Sequence, residues 1–294
     1  MDDPPVSHHT ARLRGLDFHY VKAGSGPLVV LLHGWPEFWY SWRYQIAPLA
    51  QTHTVVALDQ RGYNLSAKPR GRRAYRVDEL VGDVLALLDH LGAERAALVG
   101  HDWGGVIAWQ CALLHPARVE RLAALNMPHP ALFRRALLLN PAQMARSWYM
   151  GFFQLPWLPE LMFGDPLRLP RMLGWHRRPD VFTAEALRRY AEAWRQPGAM
   201  TASINWYRAL PYAGFVPKDA GRRRLALPTL MIFGTADQAI GSRLTHGTER
   251  YVADLRIRYL GGVSHWVQQE AAAAVNAELT AFLGDGADAA QERG

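Results

Sequence analysis

Lysine is scarce in this chain. Lys22, Lys68 and Lys218 are the only lysines in 294 residues, so the formal net charge of +7 is carried almost wholly by arginine. The basic runs Arg72-Arg73, Arg134-Arg135, Arg177-Arg178, Arg188-Arg189 and Arg222-Arg223-Arg224 are scattered. They form no stripe interleaved with aromatics, which argues against nucleic-acid binding and for a solvated, arginine-rich surface. Cysteine is rarer still. Cys111 stands alone, so no internal disulfide can form, and its apolar surroundings mark it as packing. No apolar run reaches about 18 residues, so no transmembrane helix is expected. The opening Met1-Asp2-Asp3-Pro4-Pro5 is acidic and lacks the apolar centre of a signal peptide. The histidines show no ligand spacing such as His-Glu-x-x-His. These absences predict a cytoplasmic protein, monomer or homodimer, without membrane, nucleic acid, metal or cofactor.

What is present is a packed globular composition, 49% hydrophobic, in a chain long enough for one large domain or for a core plus a lid. Apolar strand-like runs alternate with helical patterns, which argues for an α/β sheet. The runs are Leu28–Leu32, Thr54–Leu58, Ala96–Val99, Leu122–Leu125 and Thr229–Phe233, with Leu255–Tyr259 alternating as at a sheet edge. Val77, Leu80, Val81, Val84, Leu88 and Leu91 recur at helical spacing, with Asp78 as the expected cap and Gly92 as the stop. Val275, Leu279 and Phe282 share a face of the last helix, and the chain beyond about Leu283 is expected to fray. From about Ala131 to Arg224 the alternation stops. Helix-like segments, prolines and dense aromatics replace it, and we read 131–224 as a helical lid inserted into a core made of 1–130 and 225–294.

Leu98-Val99-Gly100-His101-Asp102-Trp103-Gly104-Gly105 has the form of a nucleophile elbow: apolar strand, turn of small residues, helix. The usual pattern is Gly-x-Ser-x-Gly. Here an aspartate stands at the tip. A serine would predict acyl transfer. A carboxylate predicts attack on an sp³ carbon that leaves an ester on the enzyme, which favours epoxides and alkyl halides as substrates. By itself Asp102 would pass for a helix cap. Its partners argue otherwise. Asp237, in Gly234-Thr235-Ala236-Asp237, and His265, in Gly261-Gly262-Val263-Ser264-His265-Trp266, each follow a strand candidate. The order nucleophile, acid, histidine is that of this elbow class. His33-Gly34-Trp35-Pro36 follows the first apolar strand, so the amides of Trp35 and Trp103 are expected to form an oxyanion site. His33 and His101 read as structural.

The chain resembles an epoxide hydrolase of the α/β-hydrolase superfamily. The resemblance rests on His33-Gly34-Trp35-Pro36-Glu37-Phe38, Asp59-Gln60-Arg61-Gly62-Tyr63, Gly100-His101-Asp102-Trp103-Gly104-Gly105, Gly234-Thr235-Ala236-Asp237 and Ser264-His265-Trp266-Val267-Gln268-Gln269-Glu270, and runs from about Ala11 to Leu283. It implies an α/β-hydrolase fold: a mostly parallel sheet, helices on both faces and an inserted lid. Two lid segments, Ser147–Gln154 and Asn205–Arg208, resemble the family's tyrosine motifs. By that resemblance Tyr149 and Tyr207 donate hydrogen bonds to the epoxide oxygen, and His265, oriented by Asp237, activates water against the Asp102 ester. Trp35, Trp103, Trp148, Phe152, Phe153 and Trp206 are expected to line an apolar pocket. Asn64 stands where the family usually has glycine, and asparagine tolerates that turn. A haloalkane dehalogenase would share the Asp102-Trp103 elbow but needs no acid for the leaving group. A non-catalytic binding protein would not need Asp102, Asp237 and His265 together.

Overall fold

The structure is a computed structural model and describes residues 4–213 and 224–284. The expected frayed tail from residue 285, Lys218 and most of the Arg222–Arg224 run lie outside the described residues.

Two strands that no apolar run announces open the fold. β1 (Ser7–Leu13) and β2 (Leu16–Ala23) form an antiparallel hairpin with Leu13 opposite Leu16. Arg14 (φ +49) and Gly15 (φ +82) make its two-residue turn, left-handed at both positions as a tight hairpin turn requires. β1 is an edge strand in which Ala11 and Leu13 alone are buried, so its sequence, Ser-His-His-Thr-Ala-Arg-Leu, carries little apolar signal.

The anticipated alternation follows. The elements are β3 (Leu28–Leu32), α1 (Arg43–Leu49), β4 (Thr54–Leu58), α2 (Val77–His90), β5 (Ala96–His101), α3 (Trp103–Leu114) and β6 (Val119–Leu125). Asp78 does not cap α2. Arg76 holds the cap position, and Asp78 lies in the first turn, paired with the Arg76 side chain, where its charge still opposes the helix dipole favourably.

After β6 the chain leaves the sheet for short helices, eight among the described residues. They are α4 (Pro130–Leu139), α5 (Pro141–Arg146), α6 (Trp148–Phe152), α7 (Leu158–Phe163), α8 (Leu169–Met172), α9 (Ala184–Arg195), α10 (Ala199–Arg208) and α11 (Leu210–Ala213). Their own core is aromatic: Phe153, Trp175, Tyr190 and Trp206 are almost fully buried, and Trp175 stacks on Phe182 at 4.3 Å. The chain then returns to the sheet in β7 (Thr229–Gly234) and β8 (Leu255–Leu260), and ends in α12 (Val267–Glu270) and α13 (Ala272–Gly284). Among the described residues no helix is long and apolar enough to cross a membrane.

The eight strands lie in the order β1-β2-β4-β3-β5-β6-β7-β8. β2 meets β4 antiparallel, and the pairings of β3 through β8 are parallel. Central strands such as Leu28–Leu32 are covered on both faces, which explains their unbroken apolar runs. Leu32 pairs with Gly100, His101 with Leu125, and Leu125 with Ile232. The carboxyl ends of these strands are therefore level, and the loops after them open on one edge of the sheet, where ligands bind in open α/β sheets.

Candidate active site

Asp102 is the hinge between β5 and α3. Its backbone sits at φ +49 and ψ −118, a conformation that costs a non-glycine residue about 1–3 kcal/mol. The small residues around it are a packing requirement. A Cβ on Gly104 would come within 2.0 Å of the Leu32 carbonyl oxygen, and one on Gly34 within 2.7 Å of Asp102 Cβ. Asp102 holds the cap position of α3, yet its side chain makes no capping hydrogen bond. Instead Oδ1 accepts from the amide of Trp35 at 3.0 Å, and Oδ2 faces His265 Nε2 at 3.5 Å.

His265 follows β8 and completes a line of three groups. Its Nδ1 lies 2.8 Å from Asp237 Oδ2. Asp237 follows β7 and is fixed from two sides. Oδ1 accepts from the amides of Ala239 (2.7 Å) and Ile240 (2.9 Å), and Oδ2 also accepts from Asn126 Nδ2 at 2.6 Å. One carboxylate thus caps a turn and orients an imidazole. Asn126 was not singled out in the sequence. It ends β6 in a left-handed conformation (φ +47), and its Oδ1 accepts from Gly234 N. The only local signal was an asparagine, tolerant of that backbone, just past an apolar strand.

Burial works against a charged His265, but the carboxylates of Asp237 and Asp102 outweigh it and hold its pKa well above the usual imidazole range. Burial also opposes ionisation of Asp102. His265, the charge of His101 and the Trp35 amide together still hold that carboxyl below its ordinary value.

A second polar layer lies behind Asp102. His33 Nδ1 is 2.9 Å from the Gly34 carbonyl and its Nε2 accepts from Gln60 N, which is a structural role. His101 does more. Its Nε2 meets the backbone carbonyl of His265 and its Nδ1 meets Glu37 Oε2, both at 2.8 Å, so both ring nitrogens face acceptors. Glu37, 1% exposed, also accepts from Gly34 N, Gln268 Nε2 and Gln269 Nε2. The His33–Gly34 turn and the segment after β8 are thereby tied together beneath Asp102.

Above the sheet, Tyr149 on α6 and Tyr207 on α10 reach the same cavity as Asp102 and His265, with ring centroids 5.8 Å apart. Burial raises the pKa of both phenols, and the charge of Asp102 adds to it. Both therefore keep their protons. The Trp103 indole hydrogen-bonds the Tyr207 side chain. The Trp103 amide begins α3 directly after Asp102, at the positive end of the helix dipole.

The cavity has a volume of about 530 Å³. Trp35, Trp148 and Phe153 line it as expected, and Phe163, Met172 and Trp266 join them. Trp103 faces a recess of about 10 Å³ that also touches Asp102, room for roughly one water. Two expected pocket residues lie elsewhere. Trp206 is 1% exposed, donates from Nε1 to Arg61 O at 2.9 Å and packs on Trp103 and Tyr63, so it belongs to the contact between α10 and the loops after β4 and β5. Phe152 turns toward Trp148 and Phe163 and does not line the cavity. Both lie in segments that resemble the family's tyrosine motifs, but Trp206 adjoins Tyr207 and Phe152 adjoins Phe153 in sequence, and adjacent helical positions face different ways. Among the described residues no group of three or more His, Cys, Asp or Glu is placed to hold a metal ion.

A family model described as alpha/beta hydrolase fold matches residues 27–244. The AB hydrolase superfamily protein YfhM of Bacillus subtilis (strain 168) is 42% identical over 274 residues, which cover 92% of this chain and 95% of that protein. Epoxide hydrolase 4 of Homo sapiens is 39% identical over 296 residues, covering 96% and 81%. The structure is also similar to that of Bacillus megaterium epoxide hydrolase in complex with an inhibitor. The TM-score is 0.88 at 32% identity, covering 94% of this chain and all of the other.

Proposed function

Because the chain belongs to the epoxide hydrolases of the α/β-hydrolase fold, we propose a two-step route, through an ester of Asp102, for its hydrolysis of epoxides to vicinal diols. The observation that carries this reading is one cavity lined by Asp102 and His265 below and Tyr149 and Tyr207 above.

In the first step Asp102 attacks an oxirane carbon and the carbon–oxygen bond breaks. Tyr149 and Tyr207 hydrogen-bond the leaving oxygen and supply its proton, without which an alkoxide is a poor leaving group. Forming the ester removes the charge of Asp102. Two of the influences that hold His265 protonated, the hydrogen bond and the charge of Asp102, go with it. The proton that His265 then gives up balances the one the tyrosines have passed to product. Neutral His265 takes a proton from water, and the water oxygen attacks the ester carbon. The amides of Trp35 and Trp103 hold the developing oxyanion. Collapse breaks the ester carbon–oxygen bond, the leaving oxygen takes up the remaining proton of the added water, and the diol departs with Asp102 ionised and His265 protonated again.

In this reading residues 131–224 serve as the lid and 1–130 with 225–294 as the core, and the reacting end of the substrate is a small apolar epoxide. The single, buried Cys111 suits a reducing cytoplasmic setting. A halide-binding role for Trp103 is disfavoured, since its indole is engaged with Tyr207.

A single turnover with enzyme in excess over an aryl epoxide, run in heavy-oxygen water, tests the route. The first diol should carry unlabelled oxygen, drawn from Asp102, and label should enter Asp102. Label in the diol on the first turnover would mean that water attacks directly. A bromoalkane, run separately, should release no bromide, and Tyr149→Phe with Tyr207→Phe should abolish diol formation.

A further inference from the structure

The outer part of the cavity differs in charge from its floor. Trp35, Phe153 and Phe163 make an apolar wall beside the reacting groups. Arg146, Arg177 and Arg178 line the same cavity. Of the carboxylates that line it, Asp102 is paired with His265, and Glu270 is the other. Glu270 is engaged by Ser264 N at 2.9 Å, by Ser264 Oγ at 2.6 Å and by Arg178 Nη1 at 3.5 Å. Arg178 is further held by both oxygens of Asp180. Arg146 and Arg177 are exposed and have no carboxylate partner among the described residues.

Arg146 is seated on the loop that follows Asp237. It ends α5, and Gln143 on the same helix clasps that loop, donating to Ala239 O at 2.8 Å and accepting from Gly241 N at 3.1 Å. The guanidinium lies over Gly241, where an added Cβ would come within 2.6 Å of Nη1. The missing side chain leaves the shelf on which the arginine rests.

We propose that Arg146 and Arg177 form an anion subsite, and that the preferred substrates are epoxides bearing a carboxylate on the arm remote from the oxirane. The inference rests on the epoxide-hydrolase reading and adds a charge requirement to it. Electrostatics sorts the two ends of such a molecule. Near Asp102 a carboxylate meets a like charge in a poorly solvated place, whereas at the rim it meets two unneutralised guanidinium groups, which bind carboxylates in a fork geometry. The apolar wall between suits the linking arm. A chain of net charge +7 also draws anions toward the rim at low ionic strength.

The test uses terminal epoxides of graded chain length, each ending in a carboxylate or, in its matched partner, a primary carboxamide. At the length that spans floor to rim, kcat/KM should favour the acid by about 10-fold at low ionic strength, and the preference should shrink in high salt. In the variant Arg146→Gln with Arg177→Gln the acid-to-amide ratio should fall to about one, and the lysine pair should keep part of the preference. Equal rates for acid and amide at every length would overturn the subsite, as would a preference that survives the glutamine pair. Hydrolysis of neither series by folded protein would take down the epoxide-hydrolase reading itself.

Discussion

Asp102 has one carboxylate oxygen on the Trp35 amide and the other facing His265, so its chemistry can be removed without changing its shape. Asp102→Asn should keep the fold while diol formation falls by about 10⁴-fold or more, read by product chromatography beside a thermal melt. Proton bookkeeping at His265 gives a sharper expectation. Burial opposes its charge, and two carboxylates sustain it in the free enzyme. In the proposed ester one of those carboxylates is neutral, so the pKa of His265 should drop. Ester hydrolysis needs neutral His265, and is therefore lost as pH falls through that lowered value. Ester formation needs only ionised Asp102. Burial opposes its ionisation, but its neighbours hold that carboxyl low, so this step persists to more acid conditions. Rapid-mixing fluorescence from Trp35 and Trp103 should resolve the two phases, with hydrolysis titrating at the higher pH. Coincident titrations would sink the charge argument. Asp102, Asp237 and His265 were legible in the sequence because each follows a strand candidate, apolar before Asp102 and Asp237 and alternating before His265, in a loop of small residues. The roles of Asn126 and Glu37 were not, because their work depends on distant partners. Asn126 meets Asp237, 111 positions away, and Glu37 meets Gln268 from 231 positions away. Asn126→Ala should leave Asp237 able to cap its turn but less able to orient His265. It is expected to lower kcat more than it raises KM.

The elements that carry these groups are held by close backbone approach. α3 crosses β3 where Gly104 would place a Cβ 2.0 Å from Leu32 O, while a Cβ on Gly151 in α6 would meet nothing within 4 Å. Gly104→Ala should cost about 3 kcal/mol, the upper end of the usual overpacking penalty. Gly151→Ala should be neutral or stabilising by a few tenths of a kcal/mol, since alanine favours helix. Paired chemical denaturation curves would decide, and equal midpoints would refute the close crossing. A different constraint sets α10. Arg208, 5% exposed, pairs with Glu160 and donates to the carbonyls of Phe153 and Leu155, anchoring the helix beside Tyr207. Arg208→Gln should lose about 1–3 kcal/mol, because the buried Phe153 carbonyl loses its donor, and should lower kcat because Tyr207 loses its anchor. Arg208→Lys should rescue little, since an ammonium lacks the planar fork. The central strands were readable because burial on both faces leaves an unbroken apolar run. β1 and β2 escaped because an edge hairpin needs few apolar residues, and its Arg14-Gly15 turn lacks the asparagine or aspartate that usually marks one.

Across the whole molecule, the insertion between β6 and β7 could be read from the loss of strand alternation and the density of aromatics. The direction each aromatic faces could not. Trp148 is 56% exposed at the cavity and Trp206 is 1% exposed against the core, a split set by how helices cross and not by local composition. The same crossing fastens the inserted helices to the sheet. Trp194 Nε1 donates to Pro36 O at 2.6 Å, Trp206 Nε1 to Arg61 O at 2.9 Å, Arg43 Nη2 to Val181 O at 3.0 Å, and Trp35 Nε1 to Ser203 Oγ at 3.2 Å. Each joins buried groups and contributes about 0.5–1.5 kcal/mol net over the same groups in water. Separating the inserted helices from the sheet would break all four and expose Trp35, which packs on Phe153, Phe163 and Tyr207. That penalty is comparable to the whole stability of a typical domain, about 5–15 kcal/mol, so the two parts should melt as one. Near-ultraviolet circular dichroism, dominated by the tryptophans of both parts, should share its midpoint with the far-ultraviolet signal. Trp194→Phe with Arg43→Gln removes two of the four ties. It should bring proteolytic cleavage within 130–213 before global unfolding and lower kcat/KM, because Tyr149 and Tyr207 hang from the loosened helices. Two separate transitions in the unaltered protein would show instead that the lid is held by its own aromatic core, and that the four ties only set its position.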